Sequence, residues 1–384
     1  MENYAFVKDR LYCPGPTPVP HASAVAALQT SVYHRTDLFR EKFLYARKML
    51  HPYFKSPEAP LILSCSGTGA MEAALVNLTN AGDKVLCLNG GKFGERWGKL
   101  ARAYGCDTII YEFPWGESPD LQKISALLSA HPDVKAVFFQ ANETSTGVAY
   151  PVREIASVIA ANSKALIIVD AISALVAHAL PMDEISIDCL LTGSQKGFGI
   201  PPGLAFIALS NRGWDSLSSR PRFYFDLRKE REGQVKGETA WTPATTLIES
   251  LIPSLELLGE QGVDGCDAHH KRLSLACQAA AKAMGLSLFS KSHHSQALTA
   301  IELPAGMDGS KLLKYCRTRF GTVFAGGQDH LKGKIVRLAH LGVVDELDLI
   351  GGIAALEMGL HKLGHSFPLG AGVAAAMTAL NAAG

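Results

Sequence analysis

Ala165-Leu166-Ile167-Ile168-Val169-Asp170 and, further on, Leu190-Leu191-Thr192-Gly193-Ser194-Gln195-Lys196-Gly197-Phe198 decide the fold. Each is a short apolar run that stops at a polar or charged residue, the pattern of a strand buried on both faces of a sheet. Outward from them the same pattern recurs at Leu61–Leu63, Lys84–Leu88, Val134–Gln140 and Gly203–Leu209, with amphipathic helical stretches between. The alternation predicts an α/β fold, a mostly parallel sheet sandwiched by helices. Ligands of such sheets sit beyond the carboxyl ends of the strands, so the residues that end these runs are the candidate site.

Three of those ends carry chemistry. Lys196 lies between Gly193 and Gly197, where the backbone can turn sharply. Asp170 ends its own apolar run at the same edge; its structural alternative is to cap the segment Ala171–Ala177. Ser66-Gly67-Thr68-Gly69-Ala70 is a glycine-rich turn between a strand and a helical stretch expected from Ala70 to Leu78, with amides free to meet an anion. It matches neither the P-loop nor the strict dinucleotide fingerprint, so a single phosphate is the economical ligand. An amine, a carboxylate and an anion-binding turn match the three polar ends of pyridoxal 5'-phosphate (PLP). That cofactor is an electron sink when its ring nitrogen is protonated, which a paired carboxylate favours.

Composition agrees with a soluble enzyme. The 384 residues are 47% hydrophobic and 19% charged, with a formal net charge of +1 and no basic cluster suited to nucleic acid. Eight cysteines without a C-x-x-C pair or zinc-like spacing read as reduced cytoplasmic thiols. Met1–Arg10 lacks the apolar core of a secretory signal. The Ala/Gly-rich tail Phe367–Gly384 is marginal for a bilayer span and is expected to be a docking helix or a frayed end. His269-His270 and His293-His294 are adjacent pairs that point to different faces, poor metal sites and expected surface residues; no metal site is expected.

At this level of detail the chain resembles the class V aminotransferases of PLP fold type I, the aspartate aminotransferase-like fold. Within them it is similar to the alanine-glyoxylate and serine-glyoxylate (serine-pyruvate) enzymes, from Pro14 to at least Gly342. The matching segments are Pro14-Gly15-Pro16-Thr17-Pro18-Val19-Pro20, His34-Arg35-Thr36, the G-S-Q-K run ending at Lys196, Glu143-Thr144-Ser145-Thr146-Gly147-Val148, and Val336-Arg337-Leu338-Ala339-His340-Leu341-Gly342. The resemblance implies that Lys196 is the Schiff-base lysine and Asp170 the ring-nitrogen partner. It implies that Thr68 and Gly69 bind the cofactor phosphate with help from Gln195, that Phe93 stacks on the ring, and that Ser145 reaches the ring hydroxyl side. Arg337 would grip the substrate carboxylate, with Gly15 at the substrate mouth. Trp241-Thr242-Pro243 resembles a segment that one subunit gives to the other's phosphate site, so Thr242 would act from a partner in a homodimer. Trp241 replaces the family's usual Tyr, and Ala339 its common Gly. The implied division is an N-terminal arm (1–20), a large PLP-binding domain (21–260) and a small C-terminal α+β domain (261–384).

The activity so implied moves an amino group from a small amino acid, alanine, serine or similar, to a small keto acid, glyoxylate or pyruvate. Rival readings are a PLP lyase or cysteine desulfurase, for which Cys266 or Cys316 would carry a persulfide, and an inactive structural or binding subunit. Side chains between Ala22 and Arg40 are expected to choose the donor and acceptor.

Overall fold

The computed structural model describes residues 7–29 and 32–382. Six residues of Met1–Arg10, two of the 22–40 stretch and the last two of the tail lie outside the described residues. In chain order the strands are β1 (Arg10–Tyr12), β2 (Leu61–Leu63), β3 (Lys84–Asn89), β4 (Asp107–Glu112), β5 (Ala136–Gln140), β6 (Asn142–Glu143), β7 (Val148–Ala149), β8 (Leu166–Asp170), β9 (Cys189–Gly193), β10 (Ala205–Leu209), β11 (Leu298–Glu302), β12 (Thr322–Gly326) and β13 (Ile335–Ala339).

Seven of them form one sheet in the order β2-β10-β9-β8-β5-β3-β4. Every apolar run read from the sequence is one of its strands, and the central ones are buried along their whole length. The sheet is mixed: β10 runs antiparallel to both β2 and β9, and the remaining pairs are parallel. The carboxyl ends of β2, β3, β5, β8 and β9 therefore share one edge. Apolar clusters cover both faces, one holding Phe43, Phe139 and Phe198, the other Met71, Trp97 and Phe138.

Two helices at that edge begin in ways that shape the site. The Gly67–Leu78 helix starts three residues earlier than Ala70, so the Gly67-Thr68-Gly69 turn is its first turn. Its N-cap, Ser66, makes no side-chain cap, and amides of a first helical turn have no intrahelical acceptor. The Lys92–Ala103 helix is capped from elsewhere: Ser145 Oγ receives Lys92 N–H at 3.1 Å, and the Glu143 carboxylate receives Phe93 and Gly94 N–H at 3.2 and 3.1 Å.

A second sheet has the order β1-β12-β13-β11. Its β1 comes from the N-terminal segment and pairs in parallel with β12. The helical stretch Thr245–Ala283 is two helices joined across a kink at Gly262, which takes the non-helical φ 68° and ψ 171°. The tail forms the helix Ala371–Ala382, which docks: Ala376 and Leu380 join the core beside Met284, and Gly372 N–H donates to buried Glu357 at 2.6 Å. Among the described residues no helix is long and apolar enough to cross a membrane.

One expectation is overturned. His270 is buried rather than on the surface, because the long helix turns that face under the end of β13, where it meets His340. His270 Nδ1 is 2.7 Å from Cys266 O; His340 lies between Gln296 O at 2.8 Å and Thr299 Oγ1 at 3.0 Å. Burial pushes the two imidazoles down to about 4 and about 3, with His178 and His269 adding repulsion, so both are neutral in the fold. Their folded pKa values lie below the unfolded value of about 6.5. The stability they contribute is therefore complete above pH 6.5, is lost as pH falls toward 4, and levels off below about 3. We expect the free energy of urea unfolding to fall between pH 7 and pH 4.5, and less steeply in His340→Asn; equal slopes for the two proteins would refute this.

Candidate active site

Lys196 projects from the turn that follows β9, and Asp170 is the last residue of β8 beside it, as the sequence predicts. The Lys196 ammonium donates to Pro14 O. Gly15 lies directly on this side chain: at φ 119°, an added Cβ would meet Lys196 Cδ and Cε at 2.6 Å. Burial, opposed by Cys13 and Asp170 and reinforced by Arg337 and Arg96, pushes the ammonium down to about 8. A fair share of the amine is thus neutral near pH 7.5, the state a base needs.

Asp170 is 4% exposed, and one carboxylate oxygen receives Ile172 N–H at 2.7 Å. This is the cap-like contact of its structural alternative, and it occupies only one oxygen. Burial pushes the carboxyl up to about 7, against the pull of Arg96 and Lys196. Such a group gains from a cation brought against it.

Two further residues of the site, Arg96 and Glu143, carry no signal in the sequence that marks them out. Arg96 bonds Thr68 Oγ1 at 2.9 Å, lies 5.0 Å from the centre of the Phe93 ring, and exerts its charge on both Asp170 and Lys196. It joins the phosphate turn to the ring-stacking candidate. An arginine on a strongly amphipathic helix reads as a solvated residue until the third dimension is known. Glu143 is fully buried; besides the two helix amides it receives Ser145 N and Oγ and Gln140 Nε2. Burial raises its pKa. Ser145 is therefore held as a cap and sits against Gly91, where a Cβ would come within 2.6 Å of its Oγ.

Arg337 lies in β13 of the second sheet and is 6% exposed. Its Nε donates to Gly326 O at 2.9 Å and its Nη1 to Thr144 O at 2.8 Å. Two carbonyls fix the guanidinium plane and leave its Nη1–Nη2 edge able to take a carboxylate bidentately. Thr242 stands apart from these residues. It is exposed and lines a surface cavity of about 370 Å³ with His34, Arg35, Arg40, Glu238 and Trp241.

These residues fit PLP. An amine and an under-satisfied buried carboxylate act on each other, Arg96 links them to the uncapped helix start, and the Gln195 side-chain oxygen is buried without a partner, so that amide can turn its NH2 toward an anion. The persulfide rival fares badly, since Cys266 and Cys316 are both buried within helices, not on a loop. Among the described residues no three His, Cys, Asp or Glu side chains gather as a metal site.

Comparison with known proteins agrees with this chemistry. The profile of the family described as Aminotransferase class-V matches residues 21–339. The chain is 39% identical over 382 residues to a protein of Synechococcus sp. named soluble hydrogenase, small subunit, covering 98% of this chain and 99% of that one. It is 34% identical to the serine–glyoxylate aminotransferase of Hyphomicrobium methylovorum, covering 96% and 94%. The crystal structure of pyridoxamine-pyruvate aminotransferase from Mesorhizobium loti superposes with a TM-score of 0.94 at 26% identity, covering 99% and 100%. A family profile spanning residues 21–339, with relatives 34% and 39% identical over nearly the whole length, decides the matter: the chain belongs to the class V aminotransferase family and is a PLP-dependent aminotransferase of fold type I.

Proposed function

We propose that the chain moves the amino group of a small amino acid, alanine or serine, to a small keto acid, glyoxylate or pyruvate. The observation that carries this is Arg337, held by two carbonyls with its charge acting on Lys196, while Pro14 and Gly15 lie directly on the Lys196 side chain; the guanidinium edge is the one carboxylate clamp we assign. The 34% identity to a serine–glyoxylate enzyme supports the same choice.

Bound there, PLP supplies the electron sink for the α-carbon's charge. Lys196, with its amine partly neutral, would be the base that takes and returns the substrate α-proton. Pro14 O accepts an N–H of the lysine and keeps the free amine near its task. Asp170 would pair with the ring nitrogen, Phe93 would stack on the ring, and Ser145 would serve its hydroxyl side. Thr68, Gly69, Gln195 and Arg96 would hold the phosphate. Arg337 fixes the substrate carboxylate, and with it the angle of the α-carbon bond to be broken. The keto acid product leaves before the second substrate enters, giving ping-pong kinetics.

A panel of amino donors against glyoxylate, pyruvate and 2-oxoglutarate tests the reading. Alanine or serine with glyoxylate or pyruvate should give the highest kcat/KM; a clear preference for 2-oxoglutarate and a dicarboxylic donor would overturn it. We further propose a cytoplasmic homodimer with a large domain (21–260), a small domain (261–384) and an arm (1–20). Eight free thiols suit a reducing compartment, and the exposed Thr242 suits a role in a second subunit's phosphate site. A light-scattering mass of one chain in the active enzyme would refute the dimer.

A further inference from the structure

One ion pair ties the flank of the first sheet to a loop of the second beside the mouth. Lys92 opens the helix that carries Phe93 and Arg96, and its ammonium lies 2.8 Å from Asp329 Oδ2. Asp329 begins the 3-10 turn Asp329–Leu331 between β12 and β13, in the left-handed region at φ 49°. Next to it, the His330 ring packs on Trp115 with centroids 4.6 Å apart.

The loop behind Asp329 is stiff. Leu331 N–H donates to Gln328 O at 2.9 Å, Lys332 N–H to Asp329 O at 3.1 Å and Lys334 N–H to Leu331 O at 3.0 Å. A Cβ on Gly327 would collide with the Leu331 backbone. Immediately before it, Gly326 O receives Arg337 Nε. A shift of Asp329 is thus passed along three residues to a carbonyl that sets the guanidinium plane.

We propose that Lys92 and Asp329 are a positioning pair for the substrate carboxylate. They hold loop 326–331, and through Gly326 O the Arg337 fork, at a fixed distance from the helix face that bears Phe93. The inference rests on Arg337 being the carboxylate clamp. Glu95 Oε2 is 2.9 Å from the same ammonium, so removing the Asp329 charge leaves Lys92 with a partner and does not strand it. The side chains of Lys92 and Asp329 are 32% and 50% exposed. Exposed pairs contribute little to global stability, which places the expected effect on geometry and KM.

The test uses the holoenzyme, steady-state kinetics, and propionate as an unreactive carboxylate probe. In Asp329→Asn, the KM for the amino acid and the propionate inhibition constant should both rise about five- to tenfold while kcat stays within about twofold. The visible absorbance of the bound cofactor should not change. The exchange Lys92→Glu with Asp329→Lys should bring both constants back to within about twofold of the parent, as a direct pair requires. Added salt should raise the parent's KM more than that of Asp329→Asn. Unchanged constants in Asp329→Asn, a fall in kcat alone, or an exchange no better than the single change would each overturn the pair. Arg337→Ala separates the two ideas. If it abolishes propionate inhibition while Asp329→Asn does not weaken it, only the pair fails; if it too leaves propionate binding intact, the carboxylate clamp itself is wrong.

Discussion

Lys196→Ala is expected to lower turnover by about 10,000-fold or more and to remove the visible absorbance of lysine-bound cofactor. Two functions end together: the covalent tether and the base that moves the α-proton. The charge is not what is missing, so Lys196→Arg should fail almost as completely, since guanidinium stays protonated and cannot act as the amine. The fold should survive, because the ammonium is held at a burial cost that already lowers its pKa to about 8 and its bond runs to one carbonyl, Pro14 O. An unchanged melting temperature would show this. A small primary amine added to Lys196→Ala should restore part of the proton transfer. Turnover of Lys196→Ala within about tenfold of the parent, with no amine added, would sink the assignment.

The fold was legible where burial imposes a pattern. The central strands β5, β8 and β9 are enclosed on both faces, so their sequences are unbroken apolar runs, and the polar residue that ends each run marks the site edge. Strand β4 is half-exposed at the sheet's edge and shows no such run, and β1 has three residues, too few for any period. Neither was expected. Lys196, Asp170 and Arg337 could be picked out because each stands in a distinctive local sequence. Arg96 and Glu143 could not, since their importance lies in partners distant along the chain: Thr68 for the one, the Phe93 and Gly94 amides for the other. His270 was misread as a surface residue for the same reason, because adjacency in sequence says nothing about which of two neighbours faces a core. The pairing direction of β10 was equally hidden, since an apolar run carries no sense of direction.

Asp170→Asn is expected to lower kcat by about 200- to 5,000-fold while leaving the cofactor tethered, because a buried ion pair lost on one side costs about 3–5 kcal/mol. Asparagine keeps the side chain's size and can still receive Ile172 N–H, so the turn after β8 stays intact. It cannot carry the charge that holds a proton on the ring nitrogen, and the ring then becomes a poorer acceptor of the α-carbon's electrons. The structure explains why a carboxylate is kept in so apolar a place. Burial pushes Asp170 up to about 7 even against the pull of Arg96 and Lys196, so the site hovers between charged and neutral. A pyridinium settles that balance toward the carboxylate, and each stabilises the charged form of the other. Asp170→Glu, which moves the charge without removing it, should lose less activity than Asp170→Asn. Measuring kcat and the absorption maximum of the bound cofactor together checks the idea: an asparagine variant with kcat within about threefold of the parent would show that no pyridinium leans on this carboxylate.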